Sequence, residues 1–325
     1  MKDLTPVFLT MSIKVIDAET VQRTLSMSAC IDLMADTQLA LSQGRIELPL
    51  RSIVPISGAD NFLCVMPGEN ENIFGAKMIS LFPTNPGDHD KPAIQGYIIL
   101  FSKDTGTPIA LIDAASVTAI RTAAASAAAT RVLAQENART LALLGYGVQA
   151  DSHLEAMCAI RPIDEVRIWG RSIAKARKFV AKTRAVHSLN ITAVAECQQA
   201  VSGADIICAI SGAPDPIIQG HWVAPGTHVN LVGAHTATTR EADSELIQRA
   251  RVFTEVNQFA LAEAGDLIIP IAAGEMSKDD IVGEIGAVIE GNLAGRLTER
   301  DITVYKSLGN TAQDLAAAHY IYANC

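Results

Sequence analysis

Aromatic side chains are scarce in this chain of 325 residues, at 5%, and charged ones make up only 19%. Set beside 49% hydrophobic residues, that low charge excludes a disordered chain and suits a close-packed, alanine-rich α/β protein. A basic field is lacking too: 26 Lys and Arg stand against 35 Asp and Glu, a net charge of −9. No nucleic-acid partner is expected, because phosphate binding needs clustered cations. Any anion must be held by a few local ones. No apolar run approaches the roughly 18 residues of a membrane span, and Met1-Lys-Asp-Leu-Thr-Pro lacks the apolar core of an export signal. A cytoplasmic protein with no membrane partner is expected. The six cysteines (Cys30, Cys64, Cys158, Cys197, Cys208 and Cys325) form no C-x-x-C pair and read as reduced thiols, and the seven histidines show no metal-ligand spacing, so no metal is expected.

What is present is a phosphate-binding turn. Thr140-Leu-Ala-Leu-Leu-Gly-Tyr-Gly-Val-Gln-Ala150 is a continuous apolar run that breaks into Gly145-x-Gly147-x-x-Ala150 and then a helix-like stretch. Such a run suits a strand buried on both faces. Gly145 permits the tight turn, Gly147 lets backbone approach a pyrophosphate, and Ala150 lets the helix pack on the strand. The following helix start, Val148 and Gln149, offers free N–H groups to phosphate. About 25 residues on, where an NAD-selective site places a carboxylate on the ribose, the chain has Gly170-Arg171-Ser172. Arg171 can pair with a 2′-phosphate and Ser172 can donate to it, which predicts NADPH, with NADH as the weaker alternative. A solvated loop arginine is the other reading.

Apolar runs at 140–144, 166–169, 191–194, 205–211, 228–233 and 251–256 alternate with helical stretches and predict a mostly parallel, Rossmann-like sheet. Residues 1–112 instead show short β-type runs between Gly, Pro, Asn and Asp turns, suggesting a separate α+β domain. Between them, Asp113 is placed to cap a helix over 113–135 with ten alanines between positions 114 and 134. That helix would join the domains. A final helix is expected over 307–322.

Three cations interrupt apolar segments: Arg51 before Ser-Ile-Val-Pro, Lys77 in Gly-Ala-Lys-Met-Ile, and Arg121 in the alanine-rich helix. Each alone reads as a snorkelling side chain. Together at an interdomain cleft they can hold a carboxylate beside a nicotinamide.

Taken with Gly75-x-Lys77, Asp113-Ala-x(4)-Ala-x-Arg121-Thr-Ala, Arg240-Glu-Ala-Asp243, Glu263-Ala-Gly-Asp266 and Gln313-Asp-Leu, these motifs give a chain that resembles the ornithine cyclodeaminase/mu-crystallin family along nearly its whole length. The resemblance implies a homodimer with a substrate-binding and dimerisation domain of residues 1–117 and 305–325, and a nucleotide domain of 118–304. It makes Arg51, Lys77 and Arg121 the ligands of the carboxylate of a small amino-acid-like anion. Asp314 would touch substrate or cofactor, or be a helix-surface carboxylate; Val232 and Gly233 would line the nicotinamide pocket. Members that cyclise ornithine carry an Asp after the turn that matches Asn230-Leu-Val-Gly-Ala here, at the place His235 takes in this chain. A histidine cannot pair with a second ammonium as a carboxylate does. His235 would hydrogen-bond a ring or carboxylate, act as an acid, or merely satisfy its own loop. The expectation is therefore an NADPH-dependent reductase of a cyclic 2-carboxy imine such as Δ1-pyrroline-2-carboxylate or Δ1-piperideine-2-carboxylate, giving L-proline or L-pipecolate, with Lys77 assisting the proton. An ornithine cyclodeaminase-type lyase, an alanine or opine-like dehydrogenase, and a non-catalytic crystallin-like binder stay open.

Overall fold

The computed structural model describes residues 13–56, 61–186 and 188–325; the segment examined for an export signal lies outside them. Two sheets share one molecule. The first has six strands: β1 (Lys14–Ile16), β2 (Ser52–Ile56), β3 (Asn61–Glu69), β4 (Ile73–Leu81), β5 (Ile94–Ser102) and β6 (Pro108–Asp113). Their spatial order is β1-β6-β5-β4-β3-β2, antiparallel throughout except that β1 runs parallel to β6. Alternation along β3 and β4 sends Cys64, Met66 and Lys77 inward, so one face is covered and the other open. The helices Ala18–Thr24 and Met27–Ser42 pack nearby, the latter N-capped by Ser26. The β-type reading of residues 1–112 did not anticipate either.

The second sheet is parallel in every pairing. It holds β7 (Thr140–Leu144), β8 (Glu165–Trp169), β9 (Asn190–Ala193), β10 (Ile206–Ala209), β11 (His228–Leu231), β12 (Ala250–Thr254), β13 (Ile281–Glu284) and β14 (Ile302–Lys306), in the order β13-β12-β14-β11-β10-β7-β8-β9. Its central strands are buried on both faces, which is why the sequence shows apolar runs rather than alternation. From β7 the chain winds outward through β8 and β9, then returns to lay β10 on the other side of β7. That reversal opens a crevice at the strands' C-terminal ends, where such folds bind ligands.

The helix Ala114–Leu133 joins the sheets, capped by Asp113, whose carboxylate accepts from Ser116 N at 2.7 Å. Its alanines at 123–125 and 127–129 are buried, and side chains this small let it pack closely on the Met27–Ser42 and Val148–Ile160 helices. The final helix, Thr311–Asn324, starts four residues later than expected because Asn310 caps it, and it returns to cover the first sheet. Both expected domain boundaries fall inside elements: 117/118 divides the bridging helix, and 304/305 divides β14, a fully buried strand seated between β11 and β12. All six cysteines are free, and no helix among the described residues is long and apolar enough to cross a membrane.

Candidate active site

The crevice at the sheet reversal is built from two turns. Gly145 leaves β7 with φ 149°, a conformation that side chains resist, and a Cβ there would press on the Ile210 carbonyl at 2.9 Å. Ile210, Ser211 and Gly212 leave β10 beside it. A Cβ on Gly147 would meet nothing within 4 Å, so backbone is open at the start of the Val148–Ile160 helix, whose first N–H groups have no side-chain cap. That is what a pyrophosphate needs. Ala150 is fully buried against the sheet, while Val148 is exposed. A hollow of about 230 Å³ is lined by Gly145, Gly147, Trp169, Gly170, Arg171, Ser211 and neighbours. Arg171 reaches this hollow, and no carboxylate among the described residues lines it. Ser172 sits one residue further and caps the next helix, its hydroxyl oxygen accepting from Lys175 N at 3.4 Å.

A larger cleft of about 460 Å³ continues from the same residues, since Ile210, Ser211 and Gly212 line both. Its far wall is the first sheet. Arg51, Lys77 and Arg121 all line it, as do Gln149, Val232, Gly233 and His235. The sequence candidates from three separated segments thus meet in one place. Gln149 Oε1 and Thr118 Oγ1 are buried in this cleft with no hydrogen-bond partner among the described residues, as expected of groups that bond a ligand.

The cations are held by carboxylates behind them. Lys77 Nζ lies 2.6 Å from Asp314 Oδ2 and Arg121 Nε lies 3.0 Å from Asp314 Oδ1, while Arg121 Nη1 donates to Gln313 at 2.9 Å. Asp314 is fully buried, so it is no helix-surface carboxylate; nor does it line the cleft, and its contacts are with the two cations. Arg51 Nε pairs with Glu263 at 2.9 Å, and its Nη2 donates to the Gly309 carbonyl at 2.9 Å. Three cations face two paired carboxylates, leaving one net positive charge. Arg51 Nη1 and Arg121 Nη2 have no hydrogen bond to the described residues. Burial lowers the Lys77 ammonium to about 8, with Asp314 opposing the shift.

The nucleotide-side wall rests on charges that sequence reading missed. Glu241, fully buried, accepts from Ser211 N at 2.8 Å, Ser211 Oγ at 2.7 Å and Gly233 N at 2.6 Å. Gly233 must be glycine, because a Cβ would meet the Ser211 carbonyl at 1.8 Å. Asp266 accepts from the backbone of Glu241 and Ala242 and pairs with Lys306 at 2.9 Å. Lys306 is a cation inside an apolar strand, the same signal that singled out Lys77. His235 sits at the cleft mouth with Nδ1 3.1 Å from the Gly233 carbonyl. The protein around it, aided by the Arg51 and Lys306 charges, lowers its pKa, so the ring is neutral at pH 7. With Nδ1–H donating, Nε2 is left as an acceptor, which suits hydrogen bonding better than acid catalysis.

The ornithine cyclodeaminase/mu-crystallin family model matches residues 12–325. The chain belongs to this family. A Delta(1)-pyrroline-2-carboxylate reductase from Colwellia psychrerythraea is 34% identical over 313 residues, covering 95% of this chain and 98% of that one. The Thermococcus litoralis Delta(1)-pyrroline-2-carboxylate reductase, solved with NADH and L-proline, superposes with a TM-score of 0.92 at 30% identity, covering 96% and 97% of the two chains. An archaeal alanine dehydrogenase dimer with bound NAD gives 0.90 at 27% identity, covering 96% and 95%.

Within this family member, Glu241 is the support of the nucleotide-side wall. Burial, the dominant cause, pushes its carboxyl up from 4.5 to about 7. Between those values the folded state keeps a proton that the unfolded chain has released. Stability referred to a Glu241→Gln variant is therefore fullest below pH 4.5 and falls by roughly 3 kcal/mol as pH rises to about 7, at 1.36 kcal/mol per pKa unit. Denaturant melts of both proteins from pH 4 to 8 measure this. The same substitution turns an amide N–H toward Gly233 N and should raise the KM for dinucleotide; an unchanged KM would show that these loops do not position it.

Proposed function

We propose that this protein is an NADPH-dependent reductase of cyclic 2-carboxy imines, giving the corresponding cyclic amino acid. One observation carries the reading: three cations with unspent donors share a single cleft with the Gly-rich dinucleotide turn. The Colwellia and Thermococcus relatives, a named reductase and a reductase holding NADH and L-proline, support it. Arg51 and Arg121 grip the substrate carboxylate through their free guanidinium nitrogens, which fixes C2 over the nicotinamide wall of Val232, Gly233 and Gln149. Gly145, Gly147 and Arg171 would hold a reduced dinucleotide, which when bound would supply the hydride. Lys77, mostly ammonium at pH 7 and matched to neutral pH by its lowered pKa, orients the carboxylate and keeps the imine nitrogen protonated. Neutral His235 accepts a hydrogen bond from that nitrogen.

The cyclodeaminase alternative needs a carboxylate for the substrate's distal ammonium. Among the described residues, those bordering the cations are already committed, Asp314 to Lys77 and Arg121 and Glu263 to Arg51. The NADPH preference rests on Arg171 and on a hollow without a carboxylate to meet a ribose hydroxyl. The dimer reading rests on the first sheet's open face, where Val54 pairs with Leu63 and, one row along, Met78 with Tyr97, these four being 46%, 36%, 41% and 49% exposed. Contiguous apolar exposure of this kind marks an interface.

Initial-rate assays on Δ1-pyrroline-2-carboxylate should give a kcat/KM at least 10-fold higher with NADPH than with NADH. Arg171→Ala should cost about 10- to 100-fold with NADPH alone, the worth of one charge-assisted hydrogen bond of about 1.5–3 kcal/mol; equal use of both dinucleotides would refute the assignment of Arg171.

The pH profile tests Lys77. As pH climbs through about 8 the ammonium is lost, so kcat/KM should fall about tenfold per unit above it. Lys77→Arg keeps its charge and should abolish that limb; a limb unmoved in the variant would assign it to another group.

Light scattering tests the interface: the wild type should have a dimer's mass, and Leu63→Glu with Tyr97→Glu a monomer's. A monomeric wild type would end the dimer reading.

A further inference from the structure

The first sheet's covered face is ordered along its strands. One row across it is Met66–Lys77–Ile98; the next is Ile53–Cys64–Ile79, and the third Pro55–Phe62–Leu81–Ile94. Two residues of strand separate adjacent rows, about 6.7 Å, so the third row lies about 13 Å beyond Lys77. The first row ends in the cation cluster. The second and third carry no charge, and Ile53, Phe62, Cys64, Ile79, Leu81 and Ile94 all line the 460 Å³ cleft. Burial falls from Lys77 at 2% exposure to the half-buried Phe62, Leu81 and Ile94 of the third row, and Ile53 on the edge strand is 50% exposed, so apolar surface meets water next to a carboxylate clamp.

A five-membered ring made of bonds of about 1.5 Å is roughly 2.5 Å across and, held by its carboxylate at Lys77, stops short of the second row. We infer that these two rows form a substituent subsite, and that the protein accepts 2-carboxy imines whose carbon chain is unbranched or aromatic and on the order of six carbons long. The inference rests on the carboxylate clamp of the proposed function. It also names what the subsite rejects: a second carboxylate or a distal ammonium would lie against hydrocarbon with no partner.

The subsite can be measured without turnover. Calorimetry of the enzyme saturated with NADP+ against straight-chain 2-oxo acids, from pyruvate to 2-oxooctanoate, should show Kd falling about fourfold per added methylene, the factor equivalent to about 0.8 kcal/mol. Leu81→Asp should flatten the series, and Phe62→Ala should reduce the slope should the first variant fold poorly. In parallel, the imines these acids form with methylamine should give a kcat/KM that rises with length when assayed with NADPH. A flat or reversed binding series in an enzyme that still reduces Δ1-pyrroline-2-carboxylate overturns the subsite alone. A rising series in an enzyme that reduces no imine overturns the proposed function and leaves the subsite standing.

Discussion

The structure depends on one buried carboxylate. Asp314 has no access to solvent and bonds two cations, Lys77 from the middle of a strand and Arg121 from the bridging helix, which are themselves nearly buried. Taking three charged groups out of water is costly, and only close mutual geometry offsets it. Losing any one would strand the others in a medium that solvates them poorly. The first sheet, the bridging helix and the last helix must therefore be in place together before the cluster is stable. Segments more than two hundred residues apart are fixed to each other by the same group that aims the cleft's cations.

That arrangement reconciles two demands. A clamp for an anion must be positive, yet three unpaired cations in a half-buried cleft would repel one another and lose ammonium character at Lys77. Asp314 and Glu263 offset most of that charge from behind and leave guanidinium nitrogens unspent on the open side. The opposite wall repeats the device with reversed sign: Lys306 sits behind Asp266 and beside Glu241, whose oxygens hold the backbone of Ser211 and Gly233. Each wall is thus fixed by buried charges that do not themselves face the ligand.

Much of this was legible in the sequence, and what was missed shares a cause. The dinucleotide turn, the alanine-rich helix and the parallel strands all announce themselves locally, through glycine spacing, a capping aspartate and unbroken apolar runs. Arg51, Lys77 and Arg121 stood out because each interrupts such a run. Asp314 and Glu241 lie among other polar residues, so nothing local separates a fully buried carboxylate from a solvated one; only their distant partners do. β14 was overlooked because five residues bounded by charged ones look like an edge or a loop, although it is central and entirely buried. The helices at Ala18–Thr24 and Met27–Ser42 were overshadowed by the β-type runs that follow them.

The chain passes from the first sheet to the second through one helix and comes back as the final helix that covers the first, and the cleft lies at both passages. The first is the bridging helix, which places Thr118, Arg121 and Thr122 on the cleft wall; the second is the short return after β14, which places Ser307, Leu308 and Gly309 there. Both are pinned. The return is held by Glu255, which accepts from Ser307 Oγ at 2.8 Å, Gly309 N at 2.9 Å and Gln313 Nε2 at 3.2 Å, and Gln313 in turn accepts from Arg121. Hydride transfer tolerates little slack, since reacting atoms must come within about 3–3.5 Å. On the proposed reading the substrate rests on the first sheet and the dinucleotide on the second, so their separation is set by the bridging helix that joins the sheets and by the return into the final helix that packs on the first. Tying both links into one buried hydrogen-bond network makes the distance between cofactor and substrate a property of the fold rather than of a flexible loop.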